Sequence, residues 1–315
     1  MIELLPKVNV DWLGKRKLFI GLSAAVLAVG MISLIAKGGF RYGVDFQGGT
    51  IVTVRFQETP QIERIRELAG GQVQRLRGGG SENDVLIQLE QKEGDETDLS
   101  RGREAVRAAL DKEFAGKYQI VNSEAVGPRA GTDLRRKAVL ATAYALGGIL
   151  IYMAFRFEPI YGAAAVFAVF HDVLITLGFF SLFEREIDLT VIAALLTLVG
   201  YQVNDTIVVF DRVRENRRLN RREDLEIALN KGINETMSRT VITAGLTFLA
   251  VLALFLFGGP TLNNFAFALL IGQIVGTYSS IAIAAPLVLV YTNYFGGSHA
   301  VPAAAVRAPR PAKAK

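Results

Sequence analysis

Six apolar runs dominate the chain and dictate its solvent. Inside a bilayer only a structure that satisfies every backbone polar group internally can cross, and a helix needs about 20 mostly apolar residues to do so. The runs are Leu18–Ala36, Ala138–Phe155, Pro159–Phe183, Leu189–Phe210, Thr240–Phe257 and a last one from Phe265 to Tyr294. That last run is long enough to tilt or to extend past the bilayer. Composition agrees: 51% of residues are hydrophobic and 21% charged, against about 25% charged in soluble domains. Cysteine is absent, which excludes disulfides, thiolate metal sites and cysteine nucleophiles. Two histidines, His171 and His299, leave little for a histidine metal site, and no cofactor is expected. The net charge of +5 comes from basic residues that flank apolar runs, so it signals topology rather than nucleic-acid binding.

Length and the lack of a small-x-small cleavage site make the first run a retained span rather than a signal peptide. Lys7, Lys15, Arg16 and Lys17 precede it. Segment 211–239 carries Arg212, Arg214, Arg217, Arg218, Arg221, Arg222, Lys231 and Arg239, and the tail carries Arg307, Arg310, Lys313 and Lys315. Six spans put all three segments on one side, which the positive-inside rule makes the cytoplasm. The expected division is a cytoplasmic segment 1–17, a first span 18–36, an outer domain 38–133, spans two to six over 138–295 with a cytoplasmic loop 211–239, and a basic, disordered tail 296–315. Glu184–Asp188 and Gly258–Asn264 are the expected short outer loops. Arg135, Arg136 and Lys137 fall on the outer side, but they close a long translocated domain, where the rule carries little weight. In the loop, Leu225, Ala228, Ile233 and Met237 predict an amphipathic interfacial helix.

The outer domain alternates strand and helix signals. Thr50–Phe56 alternates with Val and Thr, as a strand does. Thr59-Pro60 opens a helix that places Ile62, Ile65 and Leu68 on one face and stops at Gly70-Gly71. Gln72–Arg77 and Asp84–Leu89 are strands joined by a turn at Gly78–Ser81. Ser100–Phe114 is a second helix and Tyr118–Val126 a last strand. The order β-α-β-β-α-β predicts a ferredoxin-like α+β domain on a polytopic helical membrane protein. Gly78–Gly80 lacks the Gly-Lys-Ser/Thr ending of a phosphate loop and reads as a hairpin.

Ionisable groups inside spans are costly and mark function. His171 and Asp172 lie near the middle of the third span. Asp205 sits about 7.5 Å inside the cytoplasmic end of the fourth. Arg239 begins the fifth at comparable depth and is placed to pair with it. Thr190, Thr197, Asn204 and Asp211 form one stripe on span four, with Gln202 and Asp205 on an adjacent one. Span five has Thr240, Thr243 and Thr247, and span six has Gln273, Thr277 and Ser280 beside Gly272 and Gly276. Four such stripes predict a hydrated or hydrogen-bonded interior shared by spans three to six. Gly272 and Gly276 at GxxxG spacing read as helix packing. The alternatives are that Arg239 snorkels to headgroups, that Asp172 with His171 is a packing pair, and that the Thr stripe is only glue.

These residues also carry a resemblance. Gly200-Tyr-Gln-Val-Asn-Asp-Thr-Ile-Val-Val-Phe-Asp-Arg-Val-Arg-Glu-Asn216 is similar to the fourth-span signature of the SecD/SecF family of protein-export membrane subunits, on its SecF side. Thr236–Thr240 with Thr243 and Thr247, His171-Asp172-Val173, and Gly43-Val-Asp-Phe-Gln-Gly-Gly49 resemble other motifs of that family. Phe46 and the short outer domain favour SecF over SecD. The resemblance covers Leu18 to Tyr294. It implies kinship with the resistance-nodulation-division exporters and a location in the bacterial or archaeal plasma (cell inner) membrane. The implied partners are SecD in a heterodimer, the SecYEG channel, a small accessory membrane subunit and the preprotein. The implied work is to use the proton motive force to draw preprotein outward after the SecA motor has pushed it, without enzymatic catalysis. Asp205 is then the protonatable carboxylate, Arg239 its partner, and Asn204 and Thr243 neighbours of the path. His171, Asp172, Gln202 and Gln273 are secondary candidates. One six-span unit behind its own basic segment reads as the separate rather than the SecD-fused form. Rival readings are half of a small-molecule exporter, a non-conducting translocon scaffold, and an aspartyl protease. The protease would need Asp172 and Asp205 to share a water across roughly 10 Å of depth.

Overall fold

Alternation in the segment after the first apolar run builds a small sheet. In the computed structural model, which describes residues 8–75, 83–90, 101–156, 159–220 and 222–295, Gly49–Phe56 forms β1 and buries Val52, Val54 and Phe56 on one face. β2 (Gln72–Arg75), β3 (Asp84–Glu90) and β4 (Tyr118–Val126) complete a sheet of order β2-β3-β1-β4 with antiparallel neighbours. Val52 pairs with Ile87 and Val54 with Val85, so one face is a continuous apolar layer. Two helices whose ranges are Ile62–Ala69 (α3) and Arg101–Phe114 (α4) bury Ile65, Val106 and Leu110 against it. The expected turn at 78–81 lies outside the described residues.

The segment before β1 is a tight knot of turns. A single helical turn, α2 (Val44–Gln47), follows Gly43, and Gly49 has φ 145°. A side chain at Gly49 would also strike the Leu89 carbonyl oxygen, so sterics demand glycine twice over. Gly43 N donates to Ile187 O at 2.9 Å and Ile187 N to Arg41 O at 2.8 Å, forming a parallel bridge between Tyr42 and Ile187.

Among the described residues, five helical stretches are long and apolar enough to cross a membrane: α1 (Arg16–Ala36), α6 (Pro159–Leu182), α7 (Leu189–Leu219), α8 (Leu225–Phe257) and Thr261–Tyr294. The last comprises most of α9 (Gly259–Ser279), a π-helical turn (Ser280–Ala284) and α10 (Ala285–Phe295). The apolar run 138–155 lies within α5 (Pro128–Arg156), which packs on α6 and α7. Asp188 caps α7, accepting from Val191 N at 2.8 Å, and Asp45 of the knot accepts from Leu189 N at 3.1 Å.

Two expected loops are helical instead. Segment 211–239 splits between the end of α7, at Leu219, and the start of α8, at Leu225. The expected interfacial helix is therefore the first third of α8. Its Glu, Asn and Lys residues cost a helix little outside lipid, so the backbone has no reason to stop there. Gly258–Asn264 is likewise not a loop: α9 starts at Gly259, with Pro260 in its first turn, where the missing N–H costs nothing.

At the end of the bundle away from the sheet, the chain before α1 lies across α8. Asn234 Oδ1 accepts from Val10 N (3.2 Å) and Trp12 Nε1 (3.1 Å), and its Nδ2 donates to Val10 O (2.9 Å). Asn230, one turn earlier, accepts from Trp12 N and Leu13 N at 3.0 and 3.1 Å. Arg16 pairs with Glu226 at 2.9 Å, and Leu13 is fully buried. Asn234→Ala removes three of these bonds, and we expect it to weaken the docking by about 1–3 kcal/mol. Trp12 is the chain's single tryptophan. Its emission should move to the red in Asn234→Ala, and an unmoved spectrum would refute the docking.

Candidate intramembrane site

Polar residues on α6, α7 and α9 meet in the bundle core. Gln202 is 1% exposed, and its Nε2 donates to Gly272 O at 2.9 Å. Gln273 Nε2 donates to Ala244 O on α8 at 2.7 Å. His171 Nδ1 lies 2.9 Å from Asp172 Oδ1. Asp172 Oδ2 accepts from Ser279 Oγ at 2.7 Å, and Ser280 Oγ shares a hydrogen bond with Thr206 Oγ1 at 2.9 Å. The GxxxG glycines make this crossing possible. A Cβ at Gly276 would overlap the Gln202 side chain, and one at Gly272 would strike Leu198.

Asp205 sits at the rim of this core. Its side chain is buried, and Oδ2 has no hydrogen-bond partner. His171 Nε2 and Gln202 Oε1 are buried and unpartnered as well. A buried carboxyl oxygen with no hydrogen-bond partner is costly to keep.

The remaining candidates turn the other way. Asn204, Arg239 and Thr243 are exposed on the chain's surface, as are Thr197 and Asp211. Asp205 is buried and Arg239 exposed, and the two form no ion pair, contrary to the expected direct contact. The stripe that recurs every seventh residue faces outward because Val191, Leu195, Leu198 and Gln202 occupy the inward face of α7. Thr243 Oγ1 donates to Arg239 O at 3.0 Å, its own helix supplying the acceptor. Of the four polar stripes, those of α6 and α9 and the Gln202–Asp205 stripe of α7 share an interior; the α8 stripe divides, with Thr240 buried, Thr247 Oγ1 3.2 Å from the Tyr201 hydroxyl on α7, and Thr243 exposed. Ser279 and Thr206 were not singled out by sequence reasoning. The signal available was the Ser279-Ser280 pair itself, one residue apart and so on different faces of the helix.

Residues 106–294, which hold every one of these groups, match the family "Protein export membrane protein SecD/SecF, C-terminal", and residues 33–60, around the knot, match the SecD/SecF GG motif. The chain belongs to the SecD/SecF family of protein-export membrane proteins. Among its relatives, the protein translocase subunit SecF of Koribacter versatilis is 40% identical over 97% of this chain and 98% of its own. SecF of Calditerrivibrio nitroreducens is 44% identical over 89% of this chain and 93% of its own. The crystal structure of SecDF from Thermus thermophilus, a translocon-associated membrane protein, aligns with a TM-score of 0.77 and 37% identity. That alignment covers 93% of this chain and 40% of the SecDF chain. The SecD/SecF assignment makes the molecule a polytopic membrane subunit of protein export. It also accounts for the knot: in this family member the GG motif lets β1 start against β3 while Asp45 holds the first turn of α7.

Proposed function

We propose that the chain is the SecF half of a proton-driven export motor, and that Asp205 is its coupling carboxyl. The observation that carries this is the open Oδ2 of Asp205, buried on α7 beside an outward strip of Asn204, Thr243 and Arg239. Such a strip at membrane depth does not belong against lipid tails. It calls for a second helical half with complementary polar groups, and SecD is the partner we assign to it. With no ion pair to Arg239, the carboxyl is free to bind and release a proton when that half is in place.

With Ala138–Phe155 counted as a crossing there are six spans, and the basic 1–17, 211–239 and 296–315 segments then fall together in the cytoplasm. The β2-β3-β1-β4 order with both helices on one face supports a ferredoxin-like domain on the outer side. On this reading the domain handles emerging preprotein, SecYEG supplies the channel, and a small accessory membrane subunit completes the assembly.

The test is export in inverted vesicles containing SecYEG, SecD and this chain. Completion is followed after SecA and ATP are exhausted, with and without a protonophore. Asp205→Asn is expected to abolish the protonophore-sensitive late movement at normal complex levels. Equal completion by both variants would overturn the coupling role and leave the scaffold reading as the better one.

A further inference from the structure

The last membrane stretch changes its winding where it meets two neighbours at once. Ser280–Ala284 is a π turn between α9 and α10. A π turn adds a residue to one turn of helix, weakens its ladder and recurs at functional sites. Ser279 and Ser280, at its start, serve different helices. Ser279 Oγ reaches Asp172 Oδ2 on α6 at 2.7 Å, and Ser280 Oγ reaches Thr206 Oγ1 on α7 at 2.9 Å. Thr206 directly follows Asp205. Both serine hydroxyls also lie near Gly276 O, at 3.2 and 3.0 Å, so each has an alternative acceptor on its own helix. Asp172, Thr206, Ser279 and Ser280 are all 2% exposed or less, so water does not compete for these bonds.

We propose that Asp172, Ser279, Ser280 and Thr206 form a latch that sets the rotation of α7, and that Asp172 is thereby a positioning residue for Asp205. The proposal rests on the coupling reading of Asp205. Residues in a helix are spaced by about 100° of rotation. If the π turn closes or moves by one residue, one serine swings away from its neighbour and falls back on Gly276 O. The two helices are then no longer held to the same turn. The latch is therefore a two-position element: both bonds made, with α7 fixed and Asp205 turned into the core, or one bond released, with α7 free to rotate. His171, whose Nδ1 is 2.9 Å from Asp172 Oδ1, fixes the other side of that carboxyl.

Two readouts test this in vesicles that hold the full SecD-containing complex. One is protonophore-sensitive late export. The other is the rate at which a lipophilic carbodiimide labels Asp205, located by mass spectrometry. Ser279→Ala and Thr206→Val each remove one of the two inter-helix bonds, along with a contact to the residue's own helix, while Ser279→Thr keeps the hydroxyl. Both deletions are expected to change Asp205 labelling several-fold and to lower late export about tenfold, less than the roughly 100-fold that a 1 Å misplacement of a reacting group can cost. Ser279→Thr should retain both. If Ser279→Ala reduces complex levels, Thr206→Val decides the matter. Unchanged labelling and export in the deletion variants, beside a dead Asp205→Asn control, would overturn the latch and leave the coupling reading standing. A wild-type-like Asp205→Asn control would overturn both.

Discussion

Replacing Gly276 by Ala is expected to destabilise the bundle by about 2–6 kcal/mol, the sum of overpacking and of a buried amide left without its partner. The added methyl would overlap Gln202 Cδ and Nε2 outright. Gln202 has nowhere to go, being 1% exposed among α7 and α9, and moving it breaks the bond to Gly272 O. The side chain's far end is the clashing part, which makes the effect reversible by design. Gln202→Ala with Gly276→Ala removes both the clash and the stranded amide, so the double variant should be more stable than Gly276→Ala alone. Thermal unfolding in detergent of the two singles and the double measures this coupling. A double variant no better than Gly276→Ala would show that the contact is not what the glycine serves.

Gly178→Val is the second large effect. Here backbone meets backbone: a Cβ at Gly30 would lie 2.8 Å from Gly178 Cα, and one at Gly178 would lie 3.1 Å from Gly30 Cα. No rotamer relieves that clash, so α1 and α6 must separate. Lipid tails are as apolar as the helices, so close packing and polar contacts are what hold a span in place. Separation also loses Ser33 Oγ to Ser181 Oγ at 3.0 Å and Lys37 Nζ to Ser181 O at 2.8 Å. We expect a loss of about 1–3 kcal/mol or more of docking free energy. The chain has no cysteine, so Ser33→Cys with Ser181→Cys gives a clean disulfide reporter. Its oxidation should be efficient while Gly178 is kept and nearly lost once Gly178→Val is added; equal yields would refute the close crossing.

Much of this was legible beforehand, and the failures share a cause. Apolar runs and strand alternation are local signals, and they located α1, α6, β1 and β4 almost to the residue. The inward Gln202–Asp205 stripe was visible as period. What was not visible is which of two polar stripes on α7 faces the core, because periodicity gives a helix's faces but not their neighbours. Gly30 and Gly178 lie on different helices, so no spacing rule links them. Asn230 and Asn234 read as ordinary polar residues until the chain before α1 is laid against them. Helix ends misled for another reason: the change from apolar to charged residues near Arg239 marks a change of solvent, not of backbone, and α8 runs through it.

That continuity has a mechanical meaning. At 33 residues α8 is about 50 Å of uninterrupted rod. It is tethered at its foot by Asn230 and Asn234, and it carries Arg239 a little more than one further turn along. At its head only Gly258 separates it from α9, whose far end leads into the serine pair. A rod fastened at the foot acts as a lever with a fixed pivot. Displacement grows with distance from the tether, so Arg239 travels little while the head sweeps widely. A force on the head of such a rod would arrive at Arg239 scaled down in distance and scaled up in strength.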